Sequence, residues 1–139
     1  MLPILTCTIH GVDDIGPTRR ALCRALHGRH AASEQVDAVA LIASELMTNA
    51  IMYGVPPMAL SISTPARASS PGPVTVTMCD HGATMPALRD PKATPRLGGY
   101  GLQLVDATAS SWGVRADGAV KEVWAVVPAS PSPLRAANP

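Results

Sequence analysis

The stretch ASELMTNAIMYG, residues 43–54, sets Ser44, Glu45, Thr48 and Asn49 into an otherwise apolar run. Residues three and four apart share a helix face, so these four make one stripe, and Glu45 and Asn49 point the same way one turn apart. Upstream and within it, Val36, Val39, Ala40, Ala43, Leu46, Met47, Ala50 and Tyr53 keep a helical period up to Gly54. This predicts one long helix, with Ser33 offering an N-cap oxygen, Gln35 and Asp37 near the first turn, and Pro56 and Pro57 beyond its end. The stripe either meets water, as most such stripes do, or holds a ligand. An amide carbonyl at Asn49 suits a hard cation such as Mg²⁺, and a carboxylate at Glu45 suits orienting or deprotonating a nucleophile.

Outward from this helix the chain alternates between two periods. LPILTCTIHG has strand character and stops at Gly11, and the segment from 16 to 28 reads as a short amphipathic helix with Pro17 in its first turn and a basic outer face. After the long helix, MALSIST and VTVTMCD read as strands around the turn PARASSPGP, the second strand ending on Asp80. Residues 81–98 carry three prolines and little periodicity, which is long for a loop inside a compact domain and typical of a lid. A helix from about 99 to 110 follows, then SWGVRAD and KEVWAVVP as a closing hairpin around DGAV. From Pro128 the Pro, Ala and Ser content predicts a disordered tail, so the domain is expected over 1–127 and the tail over 128–139. Strand, helix, helix, two strands, loop, helix, two strands is the order of an α+β two-layer sandwich: a mixed, mostly antiparallel sheet with three helices on one face.

Composition narrows the partners. With 11 basic against 10 acidic residues the 139-residue chain has no field to recruit nucleic acid or an anionic membrane, so binding must come from a shaped site. Two Trp, two Tyr and no Phe leave little for base-stacking platforms and require a core of Val, Leu, Ile, Met and Ala. Three separated cysteines without a C-x-x-C pair predict reduced thiols in a reducing compartment, the cytoplasm. The apolar opening lacks a basic leader, and nowhere do eighteen apolar residues run uninterrupted, so neither export nor a membrane span is expected.

Two further segments carry chemistry. In MCDHGATMP, Asp80 either closes a turn or accepts a hydrogen bond from an exocyclic amino group, with Gly82 letting a ring approach the backbone. In LGGYGLQLV, Gly98, Gly99 and Gly101 at a helix start are either hinges or an open set of N–H groups for an anion, ahead of Leu102, Leu104 and Val105. The four histidines share no metal-ligand spacing, although His81 lies inside the second motif. Arg89, Lys92 and Arg96 in the lid either meet solvent or swing onto a terminal phosphate.

With E-L-x-x-N-A, D-x-G and G-x-G-L in this order, the chain resembles the Bergerat-type ATP-binding fold of gyrase, heat-shock chaperones, histidine kinases and MutL. Within that superfamily it looks most like the small serine kinases that act as bacterial anti-sigma factors, a likeness spanning residues 1–127 and carried mostly by SELMTNAIMYG and GGYGLQLVDATASSWGV. The resemblance implies Glu45 as general base or water-orienting carboxylate, Asn49 as Mg²⁺ ligand, Asp80 as adenine reader and Gly82 as its close neighbour. It also implies Gly99 and Gly101 at the phosphates, with Leu102 beside them and Arg96 near the γ-phosphate. Two positions depart from the family pattern: Thr84 replaces a second glycine, and Glu122 in AVKEVW replaces a small hydroxyl residue that helps to hold adenine through water. The implied function is an ATP- and Mg²⁺-dependent serine/threonine protein kinase that binds a sigma factor, phosphorylates an anti-anti-sigma antagonist and so regulates transcription by partner switching. The alternative is a nucleotide-binding regulatory module that acts through protein contacts alone. Family likeness further implies a homodimer, for which the helix from 16 to 28 offers a contact.

Overall fold

A computed structural model describes residues 2–65, 72–82 and 97–131. Strand β1 (Leu2–Ile9) leads through a 3-10 turn (Val12–Asp14) into α1 (Ile15–His27) and α2 (Ser33–Tyr53). Then come β2 (Met58–Thr64), β3 (Val74–Asp80), α3 (Leu97–Thr108), β4 (Ser111–Asp117) and β5 (Val120–Val127). The strands form one open sheet in the order β1-β2-β3-β5-β4, and every pairing is antiparallel. This is the expected α+β architecture, with the chain passing through α3 to the far edge, β4, and returning as β5 beside β3. Gly118, at φ 61°, makes the tight turn between those last two strands.

Alternation sorts the strands into two faces. Met58, Leu60 and Ile62 on β2, Val74, Val76 and Met78 on β3, and Val123, Ala125 and Val127 on β5 are buried. They meet Val36, Val39, Ile42, Ala43, Leu46, Met47 and Ala50 from α2, each full burial of a branched aliphatic side chain contributing about 1.5–3 kcal/mol. Leu22 and Leu26 of α1 extend the same core toward Ile9, and Val105 of α3 toward β4. By length and composition α2 could cross a membrane, but half of that window is buried inside the fold, where it serves as the central core helix.

Local ends differ from the sequence reading in instructive ways. Ser33 is the first helical residue of α2, the N-cap is Ala32, and no side chain caps that end. Gln35 turns inward instead of sitting at an open first turn: its Nε2 donates to the Gly72 carbonyl at 2.7 Å and the Val127 carbonyl at 3.3 Å, tying the start of α2 to the end of β5. The Asp14 carboxylate accepts from the His10 backbone N–H at 2.7 Å rather than capping α1. Trp112 Nε1 donates to Asp106 Oδ1 at 2.8 Å and fixes β4 to the end of α3. The expected lid with Thr84, Arg89, Lys92 and Arg96, and most of the expected tail, lie outside the described residues.

Candidate functional site

The polar stripe of α2 separates into two kinds of residue. Ser44 Oγ donates to the Ala40 carbonyl and Thr48 Oγ1 to the Ser44 carbonyl, both at 2.8 Å, so these hydroxyls are spent on the helix itself. Glu45 and Asn49 carry the chemistry that is left. Burial pushes the Glu45 carboxyl above its ordinary value of 4.5, toward a base that works nearer neutral pH. Asn49 Nδ2 is buried and has no hydrogen-bond partner among the described residues. Such an orphan costs about 1–3 kcal/mol. The two amide ends differ only in the assigned hydrogen-bond network, so the carbonyl oxygen can occupy that position equally well. A ligand at this point would relieve the cost.

Asp80 ends β3 with its side chain only 3% exposed. Its Oδ1 accepts the Gly82 N–H at 2.6 Å, and Lys121 Nζ stands 3.5 Å from Oδ2. Gly54, the C-cap of α2, packs directly on this carboxylate: a Cβ there would come within 2.7 Å of Asp80 Cγ. Gly82 is as tightly placed, since its Cβ would lie 3.0 Å from Asp80 Oδ1 and 3.2 Å from the Gly54 Cα. The connection is braced by the His81 N–H donating to the Val55 carbonyl at 2.8 Å and by His81 Nδ1–H donating to the Pro57 carbonyl at 2.9 Å. His81 thus has a structural partner at the base of the site.

These contacts order the candidates along one axis. At a helical rise of about 1.5 Å per residue, Asn49 lies roughly 7 Å and Glu45 roughly 13 Å back along α2 from Gly54 and the Asp80 carboxylate beneath it. Helix α3 packs against α2. It begins at Leu97, ahead of the glycines, which leaves Gly99 in the first turn, where N–H groups lack intrahelical partners, and Gly101 in the second. Leu102 is buried. Arg96 falls outside the described residues.

Two residues of this site were not singled out by the sequence. Gly54 reads there only as a helix stop, and Lys121 goes unremarked while Glu122 is expected near adenine. The register pairs Asp80 with Lys121 and Cys79 with Glu122. Lys121 is therefore on the helix-facing side with Val123, Ala125 and Val127, its side chain 6% exposed, and Glu122 is on the opposite face of the sheet. There Glu122 raises the pKa of the Cys79 thiol, after burial as the larger cause. The alternation of KEVWAVV carries the signal that would have found Lys121: it shares parity with the apolar residues.

No group of three or more His, Cys, Asp or Glu side chains gathers to hold a metal ion among the described residues. A Mg²⁺ ion fits this donor set only as a partly hydrated cation, with the Asn49 amide oxygen as its protein ligand and phosphate oxygens as the rest, an arrangement the ion commonly takes. The partnerless Asn49 amide is the feature that fits it.

Residues 11–127 match the model of a family described as the histidine kinase-like ATPase domain. Among solved structures the chain is similar to the RsbU and RsbW domains of Rv1364c from Mycobacterium tuberculosis, with a TM-score of 0.66 at 15% identity. The match covers 96% of this chain and 34% of that one, so the chain spans about a third of its length. No curated protein matches the chain in sequence.

Proposed function

We propose, from the premise that this chain belongs to the histidine kinase-like ATPase domain family, that it binds Mg·ATP along the axis from Asp80 through Asn49 to Glu45. The observation that carries this reading is the buried, partnerless amide of Asn49 one helical turn from a carboxyl whose pKa burial has raised. In it, Asp80 accepts from the base, Gly82 and Gly54 leave the ring room against backbone, Asn49 holds the cation, and Gly99 and Gly101 lie at the phosphates. Arg96 is assigned to the γ-phosphate. The cation, when bound, neutralises charge on the phosphoryl oxygens.

The reaction assigned to this site is transfer of the γ-phosphoryl group to a serine hydroxyl of another protein. Glu45 takes the hydroxyl proton, the serine oxygen forms the new P–O bond, and the bond to the β-phosphate oxygen breaks with ADP as leaving group. Little beyond positioning and charge neutralisation is required of the protein in such a step. The likeness to anti-sigma serine kinases supports an anti-anti-sigma antagonist as the phosphorylated protein and a sigma factor as the alternate partner, in the cytoplasm, with a homodimer formed through α1.

One observation favours a second reading, a nucleotide-binding module without transfer: Lys121 already engages the carboxylate assigned to the base. Incubation with γ-labelled ATP and a candidate antagonist separates the two. Label on the antagonist, lost with Glu45→Ala, is the result expected of the kinase; nucleotide binding with no label transfer is that of the module.

A further inference from the structure

The Asp80–Lys121 pair is a poor device for stability. Burying two charges carries a desolvation cost that their attraction often only balances, and apolar residues of similar volume commonly do as well or better. The pair also sits at one chemically significant place, where Gly54 and Gly82 bring backbone without Cβ atoms against the carboxylate. Asp80 Oδ1 is already satisfied by the Gly82 N–H, so Lys121 is not needed to complete that oxygen. At 3.5 Å from Oδ2 the ammonium is held by charge rather than by an aligned hydrogen bond, and its flexible stem lets it turn a proton toward a neighbouring atom.

Those facts bear on which base can dock. A carboxylate alone offers only acceptors. It pairs with the 6-amino group of adenine and opposes the 6-oxo group of hypoxanthine or guanine, acceptor against acceptor. With an ammonium beside it the edge becomes an acceptor and a donor together. Adenine then gives its N6–H to Asp80 and receives at N1 from Lys121, whereas a 6-oxopurine gives its N1–H to Asp80 and receives at O6.

We infer that Lys121 makes the base subsite accept 6-oxopurine as well as 6-aminopurine nucleotides, by setting a donor beside the Asp80 acceptor. This rests on the nucleotide-binding reading above and adds to it the class of base. Lys121 acts as a specificity-determining residue here, while the phosphate and cation end of the site is unchanged.

Calorimetric titration of the full chain with ADP, IDP and GDP, each with Mg²⁺, tests it. Inosine is the clean probe because its base differs from adenine only at the 6-position and the N1 proton. ADP and IDP are expected to bind within about thirtyfold of each other, with GDP at least as tight as IDP because its 2-amino group gives Asp80 a second donor. ADP binding with IDP weaker by more than about thirtyfold would overturn the inference and leave nucleotide binding standing. No binding of any of the three would overturn both. Lys121→Met, read if it retains cooperative unfolding, is expected to keep ADP within a few-fold and to weaken IDP by more than about tenfold. A folded variant that binds IDP as the parent does would remove Lys121 from the recognition. The parent ratio decides the question without the variant.

Discussion

At the residue scale, Glu45 and Asn49 pull stability and function in opposite directions. Asn49 holds a buried amide nitrogen with no partner among the described residues, so Asn49→Ala is expected to leave the thermal midpoint unchanged or slightly higher. The same change is expected to weaken Mg·ATP by about tenfold or more and to erase the difference between titrations with and without Mg²⁺. Glu45 has its carboxyl raised by burial above 4.5. Between 4.5 and that raised value the folded chain binds more protons than the unfolded one, so the contribution of this group to stability falls as pH climbs through the window. Glu45→Gln removes that loss: its unfolding midpoint at neutral pH is expected to be slightly above the parent's, with the gap closing in acid. Phosphoryl transfer, on the proposed role, should fall by about 10²–10⁴-fold in a γ-label assay, with nucleotide affinity kept. A Gln variant less stable than the parent at neutral pH would contradict the burial argument.

At the element scale, the end of α2, the end of β3 and the start of β5 form one joint. Gly54 is required by close approach and not by backbone conformation, since its φ is −91°. Gly54→Ala would drive a methyl to 2.7 Å from both Asp80 Cγ and the Ala50 carbonyl oxygen. The expected cost is about 1–3 kcal/mol in a denaturant titration, together with weaker nucleotide binding as the carboxylate is displaced. Lys121→Met is expected to lose about 3–5 kcal/mol, because it strands the buried Asp80 charge. Adding Asp80→Leu should recover most of that loss, since a matched apolar pair leaves no charge uncompensated. Equal stability of the single and double variants would mean that the ammonium and carboxylate do not interact across the strands.

At the scale of the whole molecule, the site lies along the central core helix, so ligand binding and global stability are coupled. A ligand at 100 times its dissociation constant stabilises the native state by about 2.7 kcal/mol. Mg·ATP is therefore expected to raise the unfolding midpoint of the chain by several degrees, and to do so far less for Asn49→Ala, in parallel scans at fixed protein concentration. Gln35 belongs to the same scale: from the far end of α2 it holds Gly72 and Val127, so both ends of the helix are anchored to the sheet and its middle presents Glu45 and Asn49. The same sheet leaves Thr75, Cys79, Glu122 and Trp124 only partly covered on the face away from the helices.

What the sequence determined by itself is local and periodic. A period near 3.6 marked α2 and put Glu45 and Asn49 on one face; a period of two marked β2, β3 and β5; and the glycines around Asp80 and at the start of α3 marked the ends of elements. These follow from backbone geometry, which repeats within a few residues and can be read without knowing the rest of the chain. Tertiary structure alone decided that Lys121 and not Glu122 stands beside Asp80, that Gly54 lies against the same carboxylate, and that Gln35 is buried. Each of these depends on strand register or on how a helix end seats against a sheet, and a shift of one residue in register would have exchanged Lys121 for Glu122 by turning every side chain of β5 to the other face.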